Sequence, residues 1–170
     1  QPRFPLVWRL SSLQIRISML RSKIKESLKE AMKSKDKRRT STLRLIIATL
    51  QDRDLAARDK GAEEGITDDE ILQMLTTMVR QRKDSIDAYE KGGRVDLAAS
   101  EQEEIDIISD YLPKQFDEAE TRAAVENVIA DIEAKGLKDM GRTMAELKSR
   151  HAGQMDFSKA SAIVKETLGA

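Results

Sequence analysis

Thr67-Asp68-Asp69-Glu70-Ile71-Leu72-Gln73-Met74-Leu75-Thr76-Thr77-Met78-Val79 decides the fold class of this chain. Thr67 with Glu70 spells a capping box, in which each side chain satisfies a backbone N–H that the first helical turn leaves open. Behind it Ile71, Leu72, Leu75, Met78, Val79, Ile86 and Tyr89 recur at helical spacing, which lays them along one face of a helix. Gly92-Gly93 closes the pattern, since glycine enters the left-handed cap region at little steric cost. One long amphipathic helix is therefore predicted between Thr67 and Gly92.

The pattern repeats on both sides. Upstream, Leu20, Ile24, Leu28 and Ala31 predict a first helix over about residues 20–33. Asp36 is placed to cap a second helix, about 37–58, whose stripe is Leu43, Ile46, Ile47 and Leu50. Gly61 and Gly65 mark the loop that follows. Downstream, a fourth helix over about 96–110 is expected to bury Leu97, Ile105, Ile108 and Leu112. Pro113 ends it by removing an N–H and restricting its neighbour, so Tyr111-Leu112-Pro113-Lys114-Gln115 is the candidate hinge. Asp117 and Glu120 form a second capping box, opening a fifth helix with Val125, Val128, Ile129 and Ile132. Two short helices complete the chain, one with Met140, Met144 and Leu147, the other with Ala160, Ile163, Val164 and Leu168. Nothing alternates at period two, so no sheet is expected. The prediction is an all-α protein, a four-helix N-terminal region over 19–112 followed by a small three-helix tail domain over 114–170.

Composition narrows the chemistry. The 170 residues contain no cysteine, which excludes disulfides, zinc-thiolate sites and a cysteine nucleophile. No apolar run approaches the roughly 18–20 residues that span a bilayer. The net charge of zero hides an asymmetry: residues 1–60 carry 16 Lys/Arg against 6 Asp/Glu, and residues 61–113 carry 5 against 14. The basic segment can attract phosphates, or the acidic middle helices can pack beside it and neutralise it. Residues 1–18 hold Arg3, Arg9 and Arg16, two prolines and no acidic residue. They are read as an extension or remnant ahead of Met19, in a cytoplasmic protein of bacterial type, with an organelle-targeting segment as the alternative.

Several pieces resemble the GatB/YqeY family when taken in order. Asp36-Lys37 with Thr42-Leu43-Arg44 is similar to its N-terminal signature. Gln81-Arg82-Lys83-Asp84-Ser85-Ile86 with Tyr89, then Gly93-Arg94-Val95-Asp96-Leu97-Ala98, is similar to its central one. Glu101, Glu104-Ile105 and Tyr111-Leu112-Pro113 continue the likeness. Gly136-Leu137-Lys138-Asp139-Met140-Gly141-Arg142-Thr143-Met144 resembles the tail domain of the B subunit of the glutamine-dependent tRNA amidotransferase. The resemblance implies a tRNA-handling module, with an amidotransferase or synthetase as a possible protein partner. It implies a carbon–nitrogen ligase, with glutamine as amido donor, only by kinship, because the catalytic cradle that precedes the tail has no counterpart here.

The residues themselves do not assemble an enzyme. There is no phosphate loop and no nucleophile elbow. His151, the single histidine, follows Lys148-Ser149-Arg150 at a helix end, where a cation suits the dipole, and is read as a surface cap. The acidic run Glu101, Glu103, Glu104, Asp106 and Asp110 is read as a solvated face or a partner for the basic second helix, rather than a metal site. No catalytic residue, cofactor, metal, membrane or DNA role is assigned. The candidate tRNA contacts are Lys37, Arg38, Arg39 and Arg44 on the second helix and Lys138, Arg142, Lys148 and Arg150 in the tail. Gly136, Met140 and Gly141 mark the tail turn, where glycine would allow a close backbone approach. No aromatic is interleaved for base stacking, so recognition by shape and backbone is expected. The alternative is a protein-interaction adaptor that binds no nucleic acid.

Overall fold

In the computed structural model the backbone is described from Leu6 onward and the side chains from Met19 onward. Seven α-helices follow one another: α1 (Leu6–Lys33), α2 (Lys37–Asp59), α3 (Asp68–Lys91), α4 (Val95–Ser109), α5 (Glu118–Asp131), α6 (Met140–Arg150) and α7 (Phe157–Leu168). A 3-10 turn, Leu137–Asp139, leads into α6. No strand occurs among the described residues. The protein is all-α, as the periodicity predicted.

Local chemistry sets most helix ends. Asp36 accepts the N–H of Arg39 at 3.0 Å and starts α2. The Thr67–Glu70 box is closed on both sides, at 3.2 and 3.3 Å. Asp117 accepts the N–H of Glu120 at 2.7 Å and starts α5. Gly93 takes φ +72 after α3, the conformation expected of that glycine pair. The first helix differs from expectation, beginning at Leu6 rather than near Leu20. Between those positions the sequence holds neither proline nor glycine, so nothing local stops the helix. The side chains of Phe4 and Trp8 lie outside the described residues.

The buried apolar residues form two clusters. Ile24, Leu43, Ile46, Leu50, Ile71, Met74, Leu75 and Ile108 build one between α1, α2, α3 and α4, closed by Tyr111. Val125, Val128, Leu147, Met155, Ala160 and Val164 build the other from α5, α6 and α7. Met140 and Met144 pack against this second cluster, the core role that their spacing suggested. On α3 the buried set adds Met74 and Arg82, while Leu72, Val79, Ile86 and Tyr89 are half-buried.

The segment after α4 is fastened to the loop between α6 and α7. Phe116 N–H donates to Gln154 O at 2.7 Å, and Gln115 Nε2 donates to Gly153 O at 2.6 Å. Gly153 takes φ +75, and a Cβ there would lie 2.9 Å from Leu72 Cβ and 3.2 Å from Pro113 Cδ. At this glycine, unlike Gly136 or Gly141, the backbone lies against the side chains of Leu72 and Pro113. Gly136 is extended, and a Cβ at either of those two positions meets nothing within 4 Å.

Candidate functional site

The basic face of α2 is largely answered from within the fold. Arg38 Nε lies 3.1 Å from Glu103 Oε2, and its terminal nitrogen donates to Ser100 Oγ at 2.7 Å. Arg39 pairs with Asp110 at 3.0 Å. Helix α4 therefore brings the acidic run against the start of α2, and a charge pattern separated by some sixty residues in sequence becomes a set of ion pairs (62 residues from Arg38 to Ser100). Lys37 is exposed and makes no ion pair with a described residue. Arg44 is also exposed and, among the described residues, reaches only Met32 Sδ, at 3.7 Å.

The tail cations divide in the same way. Arg150 is held by Asp131 at 2.6 Å and Glu146 at 2.8 Å, and these two carboxylates raise its pKa. Arg142 lies 3.3 Å from Asp139. Lys138 and Lys148 are exposed without an ion pair to a described residue. Sequence proximity had grouped these four; the structure commits the arginines and leaves the lysines free.

His151 is the C-cap residue of α6, as its position suggested, but it is half-buried rather than at the open surface. Its N–H closes α6 on Leu147 O at 2.9 Å, its ring centroid lies 5.1 Å from that of Phe116, and Nδ1 sits 3.2 Å from Gln154 Oε1. The ring helps pin the post-α4 segment to the tail, a non-local role that its helix-end position does not disclose.

Two polar features were missed in the sequence. Asp54, 6% exposed, takes both terminal nitrogens of Arg21, one of them at 2.8 Å, and the N–H of Ile66 at 2.9 Å. Gly65, at φ +85, lets the chain pass here, since a Cβ would fall 2.3 Å from Asp54 Oδ1. Burial by itself pushes the Asp54 carboxyl up; the bonds from Arg21 and Ile66 outweigh it and hold the group below the ordinary range. Arg82, 8% exposed, bonds Glu104 at 2.9 Å and Met78 O at 3.0 Å. The only sequence signal for either was a charged residue falling on a core face.

Between the two cores runs a cleft of about 600 Å³. Val79 and Arg80 of α3, Leu112 and Phe116 after α4, and Met155 and Ile163 near α7 line it. A smaller recess of about 180 Å³ adjoins it, lined by Gln73, Thr77, Arg80, Lys148, Asp156 and Ser158 among others. Arg80 spans from α3 to the start of α7, donating to Ser158 Oγ and lying 3.5 Å from Asp156 Oδ1. Among the described residues no cluster of three or more His, Asp or Glu side chains is arranged to hold a metal ion. None of the described helices is long and apolar enough to cross a membrane.

Comparison with known proteins gives a consistent result. The model of the family described as Yqey-like protein matches residues 21–168. The chain is 34% identical over 111 residues to the altered inheritance of mitochondria protein 41, mitochondrial, of Lachancea thermotolerans, covering 64% of this chain and 57% of that protein. The protein of the same name from Eremothecium gossypii is 35% identical over 89 residues, covering 52% and 46%. That from Kluyveromyces lactis is 33% identical over 112 residues, covering 64% and 58%. The matched region thus spans about half the length of these curated relatives.

Proposed function

Because the chain belongs to the YqeY-like family, we propose that it acts as a non-catalytic helical accessory that engages folded tRNA through the cations its own fold leaves uncommitted. The observation that carries this reading is the division among the candidate cations. Lys37 and Arg44 on α2, with Lys138 and Lys148 in the tail, stand exposed without ion pairs to described residues, whereas Arg38, Arg39, Arg142 and Arg150 are engaged by carboxylates. Exposed cations without a carboxylate partner suit phosphate contacts that need no base-specific geometry. The likeness of residues 136–144 to the amidotransferase B-subunit tail is what selects tRNA among folded RNAs. A ligase activity stays outside the proposal.

The matched relatives carry "mitochondrial" in their names, which favours a mitochondrial place of work over the cytoplasmic one. The acid-free Arg3, Arg9 and Arg16 fit an organelle-directing segment.

The test is binding of total tRNA by the full chain across a salt series, beside Lys37→Ala/Arg44→Ala and Lys138→Ala/Lys148→Ala. Binding should weaken with a log–log salt slope of about −0.7 to −0.9 per phosphate contacted, and each double variant should flatten it. Absence of binding at low salt refutes the reading. A second reading, a protein-interaction adaptor, rests on Leu45 and Leu55 of α2, which are 46% and 61% exposed. It gains if Leu45→Asp/Leu55→Asp abolishes a protein contact in cells while tRNA binding is absent.

A further inference from the structure

The cleft and the recess share Thr76, Arg80 and Asp156, so an apolar chamber and a polar one adjoin across a single arginine. The larger volume, about 600 Å³, is of the size that takes small molecules, and such sites favour the junctions between packed units. Its floor is apolar: Val79, Leu112, Phe116, Met155 and Ile163. Its rim carries both signs, exposed Lys83 and Lys159 beside exposed Asp84 and Glu118, so these charges largely offset one another.

The recess has the opposite character. Arg80 and Lys148 bring two cations, with Ser158 and Gln73 beside them. Arg80 holds Ser158 and Asp156 through the same terminal nitrogen, leaving the other donors of its fork for a ligand. Lys148 makes no ion pair with a described residue. The one carboxylate in the recess, Asp156, is committed to Arg80 and to the Ser158 N–H at 2.9 Å. An anion entering the recess therefore meets the unpaired charge of Lys148 and the remaining donors of Arg80, whose own charge Asp156 offsets.

We propose that the joined cavity binds an amphipathic anion. Its carboxylate or phosphate head sits between Arg80 and Lys148, and its apolar body lies over Val79, Leu112, Phe116 and Ile163. The site is separate from the tRNA reading: its contacts come from α3, the post-α4 segment, α6 and α7, and only Lys148 is common to both.

A chain-length series tests it. Butyl, hexyl and octyl phosphate, with octanoate and inorganic phosphate as further arms, are titrated calorimetrically into the full chain below their micellar concentrations. Burial of a methylene strengthens binding about fourfold, so affinity should climb from butyl to octyl, with inorganic phosphate weakest. Octanoate against octyl phosphate decides which head the recess prefers. Lys148→Gln, a change at an exposed residue, should weaken every alkyl phosphate about tenfold, as expected for loss of one charge-assisted bond. Ala162→Trp, at an exposed position on the cleft wall, should erase the chain-length dependence while leaving the melting temperature close to that of the parent. Affinity independent of chain length would overturn the proposal, as would a chain-length series that Ala162→Trp leaves intact. Binding unchanged by Lys148→Gln would place the head elsewhere and refute the assignment of the recess.

Discussion

Replacing Asp54 by asparagine isolates the one buried charge that joins three segments of the N-terminal core. The carboxylate sits 6% exposed between Arg21 of α1 and the N–H of Ile66 in the loop before α3. Asparagine keeps the shape and one acceptor, but leaves the Arg21 guanidinium, 18% exposed, without its counter-charge. Breaking a buried pair by removing one partner costs about 3–5 kcal/mol. Arg21 keeps some access to water, so the lower end, about 3 kcal/mol, is expected. For a chain of this size that lowers the melting temperature by roughly 6–12 °C. The pH dependence supplies a second readout. The folded carboxyl is held below its ordinary value, so its stabilisation is fully present above an unfolded pKa near about 4 and is lost as pH falls through the lower folded value. Parent and variant should therefore differ most at neutral pH and converge in acid. Circular dichroism melts across pH 2–8 (a range set by the reference carboxylate pKa of about 4) make the measurement. A loss below about 1 kcal/mol at neutral pH, the worth of an exposed pair, refutes the reasoning, as does a difference that persists unchanged into acid. The Arg21→Met/Asp54→Leu double variant should recover only part of the loss, because replacing both charges removes the desolvation cost as well as the attraction but leaves the buried Ile66 N–H without its acceptor.

Gly153→Ala should destabilise the chain by about 1–3 kcal/mol, combining a left-handed φ with a Cβ pressed against Leu72; a neutral melt would mean that the α6–α7 loop yields freely. Gly141→Ala, in helical geometry with open space around it, should instead raise stability by about 0.4–1 kcal/mol, measured by urea unfolding. Arg38→Ala/Arg39→Ala removes exposed pairs and should cost no more than about 2 kcal/mol together, leaving the helical signal intact. A collapse of that signal would show that these pairs, rather than the apolar core, hold α2 to α4.

The elements most legible in the sequence were those with local causes. Thr67–Glu70, Asp117–Glu120 and Asp36 announced helix starts because a cap is made within three residues of itself. Stripes such as Leu43, Ile46 and Leu50 announced buried faces because helical geometry alone aligns them. The start of α1 was missed because a compositional argument about residues 1–18 set aside a run with no helix breaker.

The candidate site was far less legible, and Arg38 and Arg39 show why. Read along the chain they could serve a phosphate-binding run beside Lys37 or pair with the acidic run, and nothing local chooses between the two; folded, they face Glu103 and Asp110. His151 likewise resembled a helix-end cation until Phe116 was brought to its ring. The sequence by itself determined the helices, their caps and their buried stripes, since those depend on contacts within a few residues. Only the tertiary structure decided which charges stay free, where Asp54 and Arg82 find partners, and that a cleft opens beside Arg80. Each of those depends on which distant surfaces meet, and the same cation contributes to binding or to packing according to what lies opposite it.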